Sequence, residues 1–165
     1  MALYAIGERA PTIHPTAFVH PEAVIIGDVT VGAEASIWPT AVLRGDTGRV
    51  LIGAQTSIQD GSVLHCTDTL DTIVGARCVI GHRAHLEGCT VEDDSLVGSG
   101  SVVLHRAVVR TGGMVAAQAL VAPGTEVPSG AVAMGVPARI RPDAVPEGMI
   151  SGSVDTYVAN AHWYN

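Results

Sequence analysis

The chain of 165 residues contains no lysine, and all nine of its basic residues are arginine. Chemistry that needs a lysine Schiff base, pyridoxal catalysis included, is therefore excluded. Aromatic residues make up only 4% of the chain. That is too few for a sandwich or helical-bundle core, which leans on large side chains. Charged residues reach 15%, below the usual share of about 25%, so surface is expected to be hidden between subunits. The net charge of −7 argues against a nucleic-acid partner. Cys66, Cys78 and Cys89 have no CxxC spacing and are odd in number, which favours a reduced, cytoplasmic setting. No apolar run approaches the roughly 18 residues of a membrane span. The opening MALYAIGERAPTIHP does not read as a signal peptide.

Hydrophobic residues are abundant at 47%, with 19 glycines. They are mostly small or β-branched, and they recur in steps of six. Val31, Ile37 and Leu43 form one series, Ile52, Ile58 and Leu64 a second, and Val74, Ile80 and Leu86 a third. From Val91 the series runs through Val97, Val103, Val109, Val115 and Val121 to Val127. A small residue follows four positions after each anchor, among them Ala35, Thr56, Ser62, Cys78, Ala84 and Ser101. A period of six fits neither a helix nor a hairpin ladder. It fits a β-helix in which each hexapeptide is one side of a triangular coil. About six coils at roughly 4.8 Å per rung predict a prism on the order of 30 Å long. The expected organisation is one hexapeptide-repeat domain over 1–165, with the prism over about 12–135. An extension and a short helix fill about 136–165, with Ser153 as the helix N-cap. Two steps exceed six residues, so GDTGRV and CTDTLD are expected as loops.

Every third anchor shares a face, and the residue after an anchor points outward. Arg44, His65 and Glu87 therefore form one outward column. His65 and Glu87 stand on successive rungs about 4.8 Å apart, close enough to converge on one metal ion. Asp60 and His82 form a column near the corner of the adjacent face. His82 is expected to serve a neighbouring chain rather than the ion at His65. His85 is placed at a corner as a less favoured third ligand, and His105 two rungs away. Trp38 follows an anchor, so it is expected to face outward into a subunit contact.

LRGD at Leu43–Asp46, IQDGSVLH at Ile58–His65 and IGH at Ile80–His82, with a ligand position five residues on, resemble γ-class carbonic anhydrases. The resemblance covers nearly the whole chain. It implies a left-handed β-helix and a homotrimer with zinc (or iron or cobalt) at each subunit interface. It also implies hydration of CO2 to bicarbonate as the activity. Carried over residue by residue, it makes His65 and His82 metal ligands, His82 across the interface. Glu87 takes the third ligand position, where the family has histidine. Arg44 and Asp46 match the pair that ties subunits together. Gln59 and Asp60 match groups near the reacting water, and Tyr157 matches a tyrosine near the C-terminal helix.

The departure at Glu87 has a chemical consequence. A His2Glu set is a legitimate zinc site, but the carboxylate cancels one unit of metal charge. Hydroxide should then be scarcer at neutral pH, so CO2 hydration is expected to be weak or alkaline-shifted. Two other readings share the scaffold. One is an acyl-CoA thioesterase or acyltransferase, and the other is a non-catalytic homologue that kept the fold and lost the chemistry.

Overall fold

The computed structural model of the protein describes residues 2–164. Short parallel strands stack in three faces, as the period of six requires. On one face Leu43, Leu64, Leu86, Val103 and Val121 lie in register. On the second, Ile37, Ile58, Ile80, Val97 and Val115 do so. On the third, Val31, Ile52, Val74, Val91, Val109 and Val127 align. Every one of these anchors is at most 3% exposed. They form one continuous core along the axis. The fold is a parallel β-solenoid of hexapeptide coils, closed at the end by an antiparallel strand, Arg139–Arg141.

The small polar residues beside the corners have a defined task. The Ser62 hydroxyl donates to the Gly81 carbonyl at 2.8 Å, and Thr56 to that of Gly75 at 2.7 Å. Each hydroxyl satisfies a backbone acceptor one coil away, which a buried alanine would leave to other partners. The corners themselves turn through single residues in the left-handed region, among them Thr40, Arg83, Arg106 and Gln118.

Ile13, Val19 and Ile25 form a regular coil below Val31, Ile37 and Leu43. Several features depart from the sequence reading. Ala2–Tyr4 adds a strand beneath that coil. GDTGRV lies within one long strand, Val42–Ile52, but the register with Val24–Val31 steps from Gly27 opposite Gly45 to Val29 opposite Val50, so residues 46–49 bulge out of the ladder. The pairing has an irregularity between Gly27 and Val29, and the two backbones touch there. A Cβ on Gly45 would lie 2.2 Å from the Asp28 carbonyl oxygen, so only glycine fits that position. CTDTLD does form a loop.

The C-terminal helix runs from Met149 to Tyr164. Ser153 is therefore inside it, and its hydroxyl donates to the Met149 carbonyl at 2.8 Å instead of capping the start. The helix lies across the isoleucine face, burying Ile150, Val154 and Ala161. Trp38 does point outward, yet it is buried beneath this helix with Phe18 and Ala161. Its indole N–H donates to the hydroxyls of Ser36 and Ser57 at 3.0 and 2.9 Å, which holds the ring in place. No described helix is long and apolar enough to cross a membrane.

Candidate metal centre

The outward column on the leucine face is in register: Arg44 pairs with His65, and His65 with Glu87. Because strand side chains alternate, the three project together from one flank of the prism. His65 is the centre of the group. Its Nδ1 lies 3.3 Å from Glu87 Oε1, and its Nε2 lies 3.0 Å from Asp46 Oδ1. Asp46 in turn takes an ion pair from Arg44. A carboxylate behind one imidazole nitrogen is the arrangement that orients a metal-binding histidine; here the other nitrogen faces a second acid, Glu87.

Glu87 is more heavily engaged than the column alone implied. His85 Nε2 stands 3.2 Å from its Oε2. His105 Nε2 stands 3.7 Å from its Oε1, is buried, and has no hydrogen-bond partner. His85 is thus not at the corner. The turn falls on His82 and Arg83, and His85 lies in the strand His85–Glu87, so it projects outward beside Glu87. His105 is likewise closer than expected. It caps the next coil and leans over Gly88, where an added Cβ would come within 3.0 Å of its ring. No periodicity encodes that reach; the missing side chain at Gly88 was the available signal. Arg44 takes Asp46 and not Glu87 as its partner.

The electrostatics follow from these contacts. Burial pushes the Glu87 carboxyl up, but hydrogen bonds from His85 and His65 outweigh it and hold the group below the usual glutamate range. Asp46 is lowered in the same way, with His65 and Arg44 outweighing burial. Both acids are therefore ionised at neutral pH. Among the described residues, Asp46, His65 and Cys66 have donor atoms within 4.8 Å of one another. Asp46 is already neutralised by Arg44, and the Cys66 sulfur is held by the Gly48 N–H at 3.1 Å. On the Glu87 side of His65, the His105 Nε2 atom is left without a hydrogen-bond partner.

His82 and Asp60 occupy the corner of the isoleucine face, 2.9 Å apart. They are not brought to His65 within the chain. Gln59, buried, sits beneath Tyr157 on the helix, and the two line one cleft with His82. Burial and the charge of Asp60 raise the Tyr157 phenol, and a hydrogen bond with Gln59 partly offsets this. Gln59, Asp60, His82 and Tyr157 therefore form a second group, separate from His65 and Glu87.

No family model matches the chain. Curated relatives and solved structures do. The chain is 48% identical over 139 residues to the carnitine operon protein CaiE of Escherichia coli K12, covering 84% of this chain and 71% of that protein. It is 43% identical over 170 residues to the mitochondrial gamma carbonic anhydrase 1 of Arabidopsis thaliana, covering 97% of this chain and 62% of that protein. The crystal structure of a hexapeptide transferase family protein from Anaplasma phagocytophilum superposes with a TM-score of 0.95 at 37% identity. That match covers 99% of this chain and 98% of the other. With its repeat, its LRGD and IQDGSVLH segments and these relatives, the chain belongs to the γ-carbonic anhydrase-like family of hexapeptide-repeat proteins.

Proposed function

We propose that the protein is a metal-dependent hydratase of CO2, a carbonic anhydrase-like lyase whose activity is weak or shifted to alkaline pH. The observation that carries this reading is Glu87 stacked on His65, oxygen to nitrogen at 3.3 Å, with Asp46 behind the ring. Imidazole nitrogen with carboxylate oxygen suits zinc, and also iron or cobalt. When bound, the ion would supply the Lewis acidity that lets a water lose its proton near neutral pH.

The remaining roles belong to the chain's own side chains. His65 and Glu87 bind, Asp46 fixes the His65 ring, and Arg44 fixes Asp46. His82 faces away from this pair, so it completes the set in a neighbouring copy, which makes the assembly a homotrimer with sites at its interfaces. Gln59, Asp60 and Tyr157 then orient the reacting water and CO2 from the neighbour's side. Glu87 brings a negative charge where a neutral histidine would stand, and this limits the acidity of the site. Buried free thiols at Cys66, Cys78 and Cys89 support a reduced compartment, the cytoplasm.

Acyl transfer is the second reading, favoured by the hexapeptide transferase relative and by a cleft of about 250 Å3 lined by Gln59, Val79, His82, Leu96 and Tyr157. No arginine lines that cleft to receive the phosphates of coenzyme A. Elemental analysis of the purified protein with the His65→Ala and His82→Ala variants separates the readings. Stoichiometric metal lost in both variants supports the hydratase. Turnover across a panel of acyl-CoA thioesters without metal supports the transferase, and the absence of both metal and turnover supports a non-catalytic homologue.

A further inference from the structure

Five of the chain's six aromatic residues meet at the seam between the helix and the prism. Phe18 and Trp38 lie 5.2 Å apart, and Tyr164 packs on both at 5.7 and 5.5 Å. Tyr157 meets the Trp38 ring edge-on at 6.1 Å. Docking the helix accounts for Phe18, Trp38 and Tyr157, which are covered or partly covered. It does not account for Trp163, 79% exposed, and it leaves Tyr164 64% exposed although its ring touches Phe18 and Trp38. Both line a cleft of about 340 Å3 together with His20, Trp38, Asp60 and Tyr157. That volume lies at the small end of ligand pockets, which run from about 300 to 1,000 Å3.

The lining has one sign of charge. Aromatic faces carry negative electrostatic potential, and a carboxylate beside them adds a full charge. Asp60 supplies that carboxylate. Its ion-pair partner among the described residues is His82, and no arginine lines the cleft. An anion would be repelled. A bare metal ion or a primary ammonium would have to give up strong hydration for apolar rings. A cation wrapped in methyl groups loses little water and gains both contacts.

We propose that this cleft is a binding site for a small alkylated ammonium ion, quaternary or tertiary, held over Trp163, Tyr157 and Tyr164 with Asp60 as its counter-charge. Trp38, held by its two serines, forms the rigid wall. The site does not depend on a metal at His65. It lies against Asp60 and Tyr157 of the second group, so its occupant would sit beside the proposed reacting centre.

The test uses the full-length protein titrated with choline, and with its neutral isostere 3,3-dimethyl-1-butanol, by calorimetry and ligand-observed NMR. Choline is expected to bind saturably and at least about tenfold more tightly than the isostere. Trp163→Ala, at an exposed position, should weaken choline about tenfold while leaving the melting temperature and metal content unchanged. Asp60→Asn should erase the preference for the cation. Equal binding of the two probes, no saturation in the millimolar range, or full binding by Trp163→Ala would overturn the proposal. Because Trp163 has no part in the proposed metal binding or hydration, either result leaves the hydratase reading to its own test.

Discussion

Leu86 offers the sharpest test of how the solenoid holds its site. It is fully buried, stacked between Leu64 and Val103, and flanked by the outward-facing His85 and Glu87. Replacing it with alanine removes three carbon groups from the core, about 2.4 kcal/mol at roughly 0.8 kcal/mol each. A cavity term adds to this, because coils above and below are pinned in register and collapse only partly. The total is about 3–5 kcal/mol. Each coil leans on its neighbours alone, so no distant contact replaces the loss. For a chain of this size that corresponds to a fall in Tm of about 10 °C. Val63 is the control: it lies one coil below on the same face, in the outward column of His85, and is 37% exposed. Val63→Ala should cost no more than about 1 kcal/mol. Thermal unfolding followed by circular dichroism measures both. A Leu86→Ala cost below about 1 kcal/mol, or equal costs for the two variants, would refute the close-packed interior.

Three further outcomes follow from the structure. Gly45→Ala should destabilise strongly and weaken metal retention, since its Cβ would meet the Asp28 carbonyl at 2.2 Å and displace Asp46; urea unfolding and metal content read both effects. Asp71 is bound by the Arg49 backbone N–H and guanidinium, and although burial raises it, those bonds leave it below the usual range. A depressed folded pKa stabilises the protein above the unfolded value near 4 and ceases to do so as pH falls through the folded value. Urea midpoints should therefore fall on acidification below about pH 4, less steeply in Asp71→Asn. Burial pushes the thiols of Cys78 and Cys89 up to about 12, so the native protein should resist a thiol-specific disulfide reagent at neutral pH until denatured; rapid native labelling of both would contradict their placement.

The repeat was legible because its physics is local. A side chain every six residues has to face inward, and that single constraint set the faces, the register and the stacking of Glu87 over His65. The first coil was legible too in principle: Ile13, Val19 and Ile25 keep the spacing of six, but histidines and prolines between them obscure it. What escaped the period were contacts between the solenoid and what lies outside its coils. Trp38 was correctly outward, yet a periodic pattern carries no information about which segment covers an outward residue, and its own C-terminal helix does. GDTGRV read as a loop by its length; its extra residues instead bulge from within the strand Val42–Ile52, opposite the irregularity between Gly27 and Val29. His85 and His105 were undervalued because direction at a corner depends on the turn residue and on the gap above Gly88, not on the hexapeptide count.

Glu87 is where the fold and the chemistry meet. The direct measurement is stopped-flow CO2 hydration by the zinc-loaded protein, from about pH 6 to about pH 10, beside Glu87→His. The account predicts a wild-type rate that rises only on the alkaline side, and a variant whose midpoint moves down so that its rate at pH 7 exceeds that of the wild type. A wild-type protein as active at neutral pH as the variant would contradict it.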